Sequence, residues 1–150
     1  MTPTRTLTLD ELHPLIGQEV AVSPWFQITQ HAIDTFAEVS GDHQWIHVDV
    51  ERARRESRYG GAIAHGFLTL SLLSHLSREA VNVQTGLPMR VNYGLNRVRF
   101  PSPVPAGSRV RAHFTPQSVS ESEIVWLVTM ELEGAEKPAL VAEWITRYYR

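Results

Sequence analysis

The sequence contains no cysteine, no long apolar run and no large excess of charge of either sign, and each absence narrows the range of functions. Without cysteine, disulfides, thiolate nucleophiles and cysteine-ligated zinc are excluded, so a metal site would need histidine and carboxylate ligands. The 14 basic and 16 acidic residues nearly cancel, which disfavours binding to nucleic acid. Because no segment approaches a membrane span or a signal peptide, we expect no membrane association and a cytoplasmic location.

The chain has the length and patterning of one folded unit. A chain of 150 residues can bury one continuous core. We find no internal repeat, low-complexity tract or linker. The sequence therefore predicts a single domain over residues 1–150.

Capping residues mark the helices of the first third of the chain. Thr8 and Glu11 have the spacing of a capping box, which predicts a short helix. Thr29 is a suitable N-cap before apolar residues at helical spacing, which predicts a helix after it. Gly41 is suited to the left-handed conformation that ends a helix. Asp49 then predicts the start of a second short helix, which is rich in arginine.

The rest of the chain changes from helical to strand periodicity. The segment GFLTLSLLSHLSREA, from Gly66 to about Ala80, is apolar or small on every face of its first turns, which predicts a buried helix. Beyond it, apolar residues recur at every second position, as in half-buried antiparallel strands. A shift of parity predicts a β-bulge near Gly94 or Asn96. The predicted strands are EVAVSPWFQIT, MRVNYGLNRVRF, residues 109–114, residues 124–132 and PALVAEWITRYY. This order predicts an α+β fold, with a sheet curling around one helix.

The motif SGDHQWIHVD, at residues 40–49, permits three interpretations. His43 and His47 have the spacing of a zinc pair, but Gln44 replaces the usual glutamate and a turn interrupts the segment, so we expect no metal. Alternatively, Asp42 closes a turn and the histidines are ordinary. The third interpretation is that Asp42 and His47 meet beside an apolar pocket and hold one water between them as an acid–base pair.

Gly66 begins the predicted buried helix, where unpaired N–H groups favour an oxygen that becomes negative. Its missing side chain would let a ligand approach its amide, or would merely ease helix packing, and the local sequence supports both equally. Combined with Asp42 and His47, a donor at Gly66 predicts proton chemistry next to a carbonyl group.

The motif SGDHQWIHVD, followed about twenty residues later by AHGFLTLSLL, resembles the MaoC-like dehydratases, which include the R-specific enoyl-CoA hydratases. The similarity is greatest to the NodN-like subgroup, and it extends over RFPSPVPAGSRV and VAEWITRYY. This resemblance implies a hot-dog fold, in which a curved antiparallel sheet wraps one long helix.

The common family motif is Gly-Asp-x-Asn-Pro-aliphatic-His. The resemblance therefore assigns the catalytic pair to Asp42 and His47, and the carbonyl-binding amide to Gly66. Gln44 and the tryptophan after it stand where asparagine and proline are usual, and Gln44 would still be able to bond the water. Ser74 corresponds to a supporting polar position in related hydratases, and a buried serine that bonds back to its own helix is an equally good interpretation.

The resemblance implies reversible, syn hydration of trans-2-enoyl-CoA to (R)-3-hydroxyacyl-CoA. No metal or redox cofactor is expected, and coenzyme A enters only as part of the acyl-CoA thioester substrate. Two alternatives use the same fold: an acyl-CoA thioesterase, and a catalytically silent module that binds acyl thioesters. Because a single sheet around one helix leaves free edges, we also expect a homodimer.

Overall fold

Four long antiparallel strands form the main sheet of the structure, a computed structural model that describes residues 3–150. They follow the spatial order β6-β7-β8-β5, and two short strands, β2 and β3, pair with the outer side of β6. The strands are β1 Arg5–Thr8, β2 Ala21–Val22, β3 Phe26–Gln27, β4 Val81–Gln84, β5 Met89–Arg99, β6 Arg109–Val119, β7 Glu123–Leu132 and β8 Leu140–Tyr149.

The period-two pattern places one face of this sheet in the core. Along β7, buried and half-buried residues alternate without interruption. Trp126 is buried with its ring edge against Phe114 of β6, at a centroid distance of 6.1 Å. The predicted strands over residues 109–114 and 124–132 are confirmed.

Strand β5 lies at an edge of the main sheet and carries the predicted irregularity. Its register against β8 shifts between Asn92 and Gly94 and again between Leu95 and Arg97. The bulge predicted from the change of parity is therefore confirmed. Four apolar side chains of β5 are exposed in the single chain: Met89, Val91, Tyr93 and Leu95.

Six α-helices lie within residues 3–150, and their ends follow the capping signals. Thr8 and Glu11 form a complete capping box, and the Thr29 hydroxyl accepts the Ala32 N–H. The Asp49 carboxylate accepts the Arg52 N–H at 3.0 Å. The helices are α1 Leu9–Leu12, α2 Gln30–Ser40, α3 Trp45–Val48, α4 Val50–Glu56, α5 Gly66–Ser71 and α6 Leu73–Ala80, with a 3₁₀ turn at His13–Leu15.

The predicted central helix is present as two segments, α5 and α6, joined at Leu72. The Leu72 N–H bonds to the Thr69 carbonyl three residues back, so the helix tightens locally at this point. One side of the helix packs on the sheet through buried residues such as Leu68 and Leu76. The opposite side is open in the single chain, because Phe67 is 69% exposed.

The segment EVAVSPWFQIT was predicted as one strand but forms two short ones. Ser23 bonds to Ala112 through both its main-chain N–H and its hydroxyl, and Pro24 has no N–H to continue the ladder. The pairing therefore breaks and resumes at Phe26.

The sequence did not reveal a small second sheet, in which β1 and β4 pair in parallel. None of the helices within residues 3–150 is long and apolar enough to cross a membrane.

Candidate active site

The motif SGDHQWIHVD lies mainly on a loop and the one-turn helix α3, which follow α2. Gly41 ends α2 with a left-handed φ of 76°, which turns the chain. The Asp42 side chain then accepts the Gln44 N–H at 3.3 Å, and α3 begins at the next residue. As a result, Asp42 lies on an exposed loop while His47 lies in a helix.

His47 is buried, with 7% of its surface exposed, and one ring nitrogen is engaged. Its Nδ1 lies 2.7 Å from the carbonyl oxygen of Ile63. A carbonyl oxygen only accepts hydrogen bonds, so Nδ1 carries the proton in the neutral ring. Nε2 therefore keeps a free lone pair, which is the state that a proton acceptor requires.

The structure brings the predicted pair together. A carboxylate oxygen of Asp42, a ring nitrogen of His47 and a ring nitrogen of His65 all lie within 4.8 Å of one another. One water can bridge two groups at this separation, because each hydrogen bond is about 2.8 Å long. The arrangement fits a water held between an exposed carboxylate and a buried imidazole.

Burial lowers the pKa of His47 below its ordinary value of 6.5. The hydrogen bond with the Ile63 carbonyl opposes this effect, His65 adds to it, and the Asp42 carboxylate opposes it. Since the net direction is downward, the His47 ring is neutral at neutral pH and able to accept a proton.

His65 is a third member of this cluster that the sequence did not single out. It is only 3% exposed, and its ring stacks on His47 with centroids 3.9 Å apart and planes inclined by 24°. Its Nε2–H donates to the main-chain carbonyl of Asp42 at 2.9 Å. Its position directly before Gly66 was the available signal, but a contact across 23 residues cannot be read from spacing.

Two histidines and an aspartate are also a donor set that zinc accepts. Ligand nitrogens on one zinc ion direct their lone pairs to one point, at about 2.0–2.1 Å. The rings of His47 and His65 are stacked in nearly parallel planes, so an ion about 2 Å from a nitrogen of each ring would lie outside the plane of at least one of them. This geometry fits a metal ion poorly.

Gly66 is the first residue of α5 and lines the same cleft as His47. The cleft has a volume of about 420 Å³, and its walls include Tyr59, Ile63 and Phe100. A Cβ at Gly66 would stand 3.2 Å from three atoms of the Phe100 ring. Close packing against Phe100 is therefore one reason for glycine at this position.

The residues that line the cleft of His47 and Gly66 do not include the other three predicted residues, Asp42, Gln44 and Ser74. Gln44 is exposed at the start of α3, where its carbonyl accepts the His47 N–H. Ser74 lies on α6, and its hydroxyl bonds to the side-chain amide of Asn92 at 3.0–3.2 Å. It lines a second cleft of about 220 Å³.

Comparisons of this chain with a family model and with known proteins indicate the same family. Residues 11–133 match the family model described as "MaoC like domain". The chain is 47% identical over 143 residues to 3-hydroxyacyl-thioester dehydratase Z of Mycobacterium tuberculosis strain H37Rv, covering 92% of this chain and 93% of that protein. It is also 47% identical over 145 residues to nodulation protein N of Rhizobium leguminosarum bv. viciae, covering 93% and 90%.

Among solved structures, the unliganded R-hydratase of Pseudomonas aeruginosa superposes with a TM-score of 0.75 over 95% of this chain and 85% of its own. At 22% identity this match concerns the fold, and it confirms the predicted hot-dog arrangement. From the family model and the two relatives, we conclude that the chain belongs to the MaoC-like dehydratase family of hydro-lyases.

Proposed function

We propose that this protein reversibly hydrates trans-2-enoyl-CoA to (R)-3-hydroxyacyl-CoA, with Asp42 and His47 as the catalytic pair. The observation that carries the proposal is the meeting of a carboxylate with a buried imidazole whose Nε2 is free. The dehydratase named above, which acts on 3-hydroxyacyl thioesters, supports the substrate class by its 47% identity.

In the proposed reaction, the water held by Asp42 and His47 adds to the β-carbon of the enoyl thioester. A new carbon–oxygen bond forms as the electrons of the double bond move toward the thioester carbonyl. One proton of the water passes to the pair, and the pair returns a proton to the α-carbon. Because the two groups share one water, they act as a unit in the reaction.

The thioester oxygen gains negative charge during this step and needs a hydrogen-bond donor. We assign this role to the main-chain N–H of Gly66, because the first N–H groups of a helix have no acceptor within the helix. One such donor contributes about 2.7–4 kcal/mol to catalysis in other enzymes. The position of Gly66 in the His47 cleft supports the assignment.

The proposed chemistry uses only groups of the protein, two side chains and one main-chain N–H, and coenzyme A participates only as part of the substrate. Asp42 and His47 transfer the protons, and the N–H of Gly66 polarises the carbonyl group. We therefore expect that prolonged treatment with a metal chelator leaves the hydration rate unchanged. A rate that falls on chelation and returns with added zinc would contradict this expectation.

We also propose that the functional protein is a homodimer. The exposed apolar residues of β5 and of α5 lie on a sheet edge and on the open side of the central helix. A second copy that pairs with this edge would extend the sheet and cover apolar surface.

The direct test uses crotonyl-CoA, with loss of the conjugated double bond and release of free thiol followed together. A hydratase consumes the double bond without releasing thiol and yields (R)-3-hydroxybutyryl-CoA. Thiol release at a rate that matches double-bond loss would identify a thioesterase instead. Binding of crotonyl-CoA without either reaction would identify a silent module.

A further inference from the structure

His65 lies where the three parts of the candidate site meet. Its Nε2–H donates to the Asp42 carbonyl at 2.9 Å, and its ring stacks on the His47 ring at 3.9 Å. It also immediately precedes Gly66, and as the N-cap residue of α5 it accepts the Leu68 N–H on its own carbonyl. One residue therefore contacts or adjoins each of the parts assigned to the reaction.

Asp42 needs such a contact, because its other hydrogen bonds are local. Its side chain accepts from Gln44 and its N–H donates to the Ser40 hydroxyl, each two residues away and each 3.3 Å long. The bond from Gln44 joins the Asp42 side chain to the start of α3, but at 3.3 Å it is long and holds the loop only weakly relative to His47. The bond from His65 ties the Asp42 main chain to an element that also packs against His47.

Only one of the two ring nitrogens of His65 has a hydrogen-bond partner among the described residues. His65 is 3% exposed, and its Nδ1 is buried without such a partner within residues 3–150. Burial of an unpaired polar atom is unfavourable, and an apolar side chain of similar shape would avoid it. Packing alone therefore does not explain a histidine at this position.

We propose that His65 is a positioning residue for the hydration reaction, and that it holds the Asp42 main chain and the His47 ring in the relative geometry in which they share one water. This inference rests on the proposed function. His65 acts through its two neighbours, so its removal should lower kcat and leave KM nearly unchanged.

Two substitutions separate the effect of the hydrogen bond to Asp42 from the effect of the ring stacked on His47. His65→Phe keeps a ring against His47 but removes the donor to Asp42, and His65→Gln keeps a donor near the position of Nε2 but removes the ring. We expect His65→Phe to lower kcat for crotonyl-CoA by roughly 10²-fold, the loss seen when catalytic groups shift by about 1 Å. Its melting temperature should change little, because removal of the unpaired nitrogen offsets the lost hydrogen bond to Asp42.

We expect His65→Gln to recover most of the wild-type kcat at mildly alkaline pH. Without the ring, His47 becomes less buried, so the acid limb of the pH profile should move upward toward 6.5. The charged or titratable groups that face His47 are Asp42 and His65 in the cluster and Arg58 and Tyr59 across the cleft, and three of these are unchanged in this variant.

The matched control is His75→Phe, a histidine on α6 that packs edge-on against Phe26 and lies near Glu79. It should retain wild-type kcat. If His65→Phe does not fold, His65→Asn replaces it, because its shorter amide cannot reach the Asp42 carbonyl whereas that of His65→Gln can. Wild-type kcat in His65→Phe or His65→Asn, or a kcat in His65→Gln no higher than in those variants, would overturn the proposal.

An NMR titration of the His47 ring adds a readout that does not depend on turnover. The His47 pKa should be higher in His65→Gln than in the wild type, and an unchanged pKa would overturn the stacking role. If the wild type does not hydrate crotonyl-CoA, the proposed function fails, and the titration still tests the contact between the two rings.

Discussion

At the scale of single residues, the candidate site combines one carboxylate, two histidine rings and the glycine that begins α5. Asp42 and His47 lie five residues apart in one motif, so their proximity follows from local chain geometry. His65 was not identified from the sequence, because it reaches Asp42 across 23 residues and no local pattern marks that contact. The role proposed for Gly66 stays a prediction, since its packing against Phe100 also explains a glycine there.

The lowered pKa of His47 predicts the acid side of the pH profile of kcat/KM. The active form carries a neutral ring, so activity should disappear as the pH falls through the pKa of the folded protein. Because burial places that pKa below 6.5, the enzyme should keep more than half of its maximal kcat/KM at pH 6.5. A profile with its acid midpoint at or above 6.5 would show that the ring is not effectively buried.

The lowered pKa of His47 also predicts how the free energy of unfolding depends on pH. The unfolded chain binds a proton at His47 near pH 6.5, whereas the folded chain does so only at lower pH. The contribution of His47 to the free energy of unfolding should therefore fall as the pH decreases below 6.5. Urea unfolding of the wild type and His47→Ala above and below this pH checks the direction, because the variant should lose less stability.

At the scale of elements, capping residues and periodicity predicted most boundaries. The Thr29 cap, the Gly41 stop and the Asp49 cap each act within four residues, so they can be read locally. The split of the first predicted strand depends on how Ser23 bonds to Ala112 of β6, and the parallel pair of β1 and β4 joins distant segments. Pairings of this kind depend on tertiary contacts that the local sequence does not encode.

The start of α5 permits a test that separates the two roles of Gly66. Gly66→Ala should lower turnover, both because a Cβ approaches the substrate and because it stands 3.2 Å from the Phe100 ring. Phe100→Ala removes the second effect. If Gly66 binds the thioester oxygen, Gly66→Ala should still lower kcat in the Phe100→Ala background, with little change in melting temperature.

Recovery of kcat in the double variant, to the level of Phe100→Ala alone, would contradict the role of Gly66 as a donor. Gly66 would then be a packing residue of the helix start.

At the scale of the whole molecule, the exposed apolar surface formed by β5 and the open side of α5 predicts self-association. Phe67 is 69% exposed and Tyr93 is 53% exposed. We expect sedimentation analysis to show a dimer at micromolar concentration, and Phe67→Glu to shift the equilibrium toward monomer. Val39→Glu is the control, because Val39 is 83% exposed on α2, outside this surface, and its substitution should leave the dimer intact.

A monomer at the same concentration for the wild type would contradict the dimer proposal. The family assignment and the fold would be unaffected, because they rest on the single chain.

The central claim is that Asp42 and His47 act together on one water, and a double-mutant cycle tests it most directly. Initial rates of crotonyl-CoA hydration should be measured for Asp42→Asn, His47→Ala and the double variant, with His43→Ala as the control. His43 lies on the same loop, exposed and 3.7 Å from Glu38, so its loss should leave kcat unchanged. Each single substitution should lower kcat by roughly 10²–10⁴-fold, as expected for a group that transfers protons.

Because the two groups serve one water, the double variant should be little slower than the slower single variant. Near-normal hydration by Asp42→Asn, or losses that multiply in the double variant, would contradict the account.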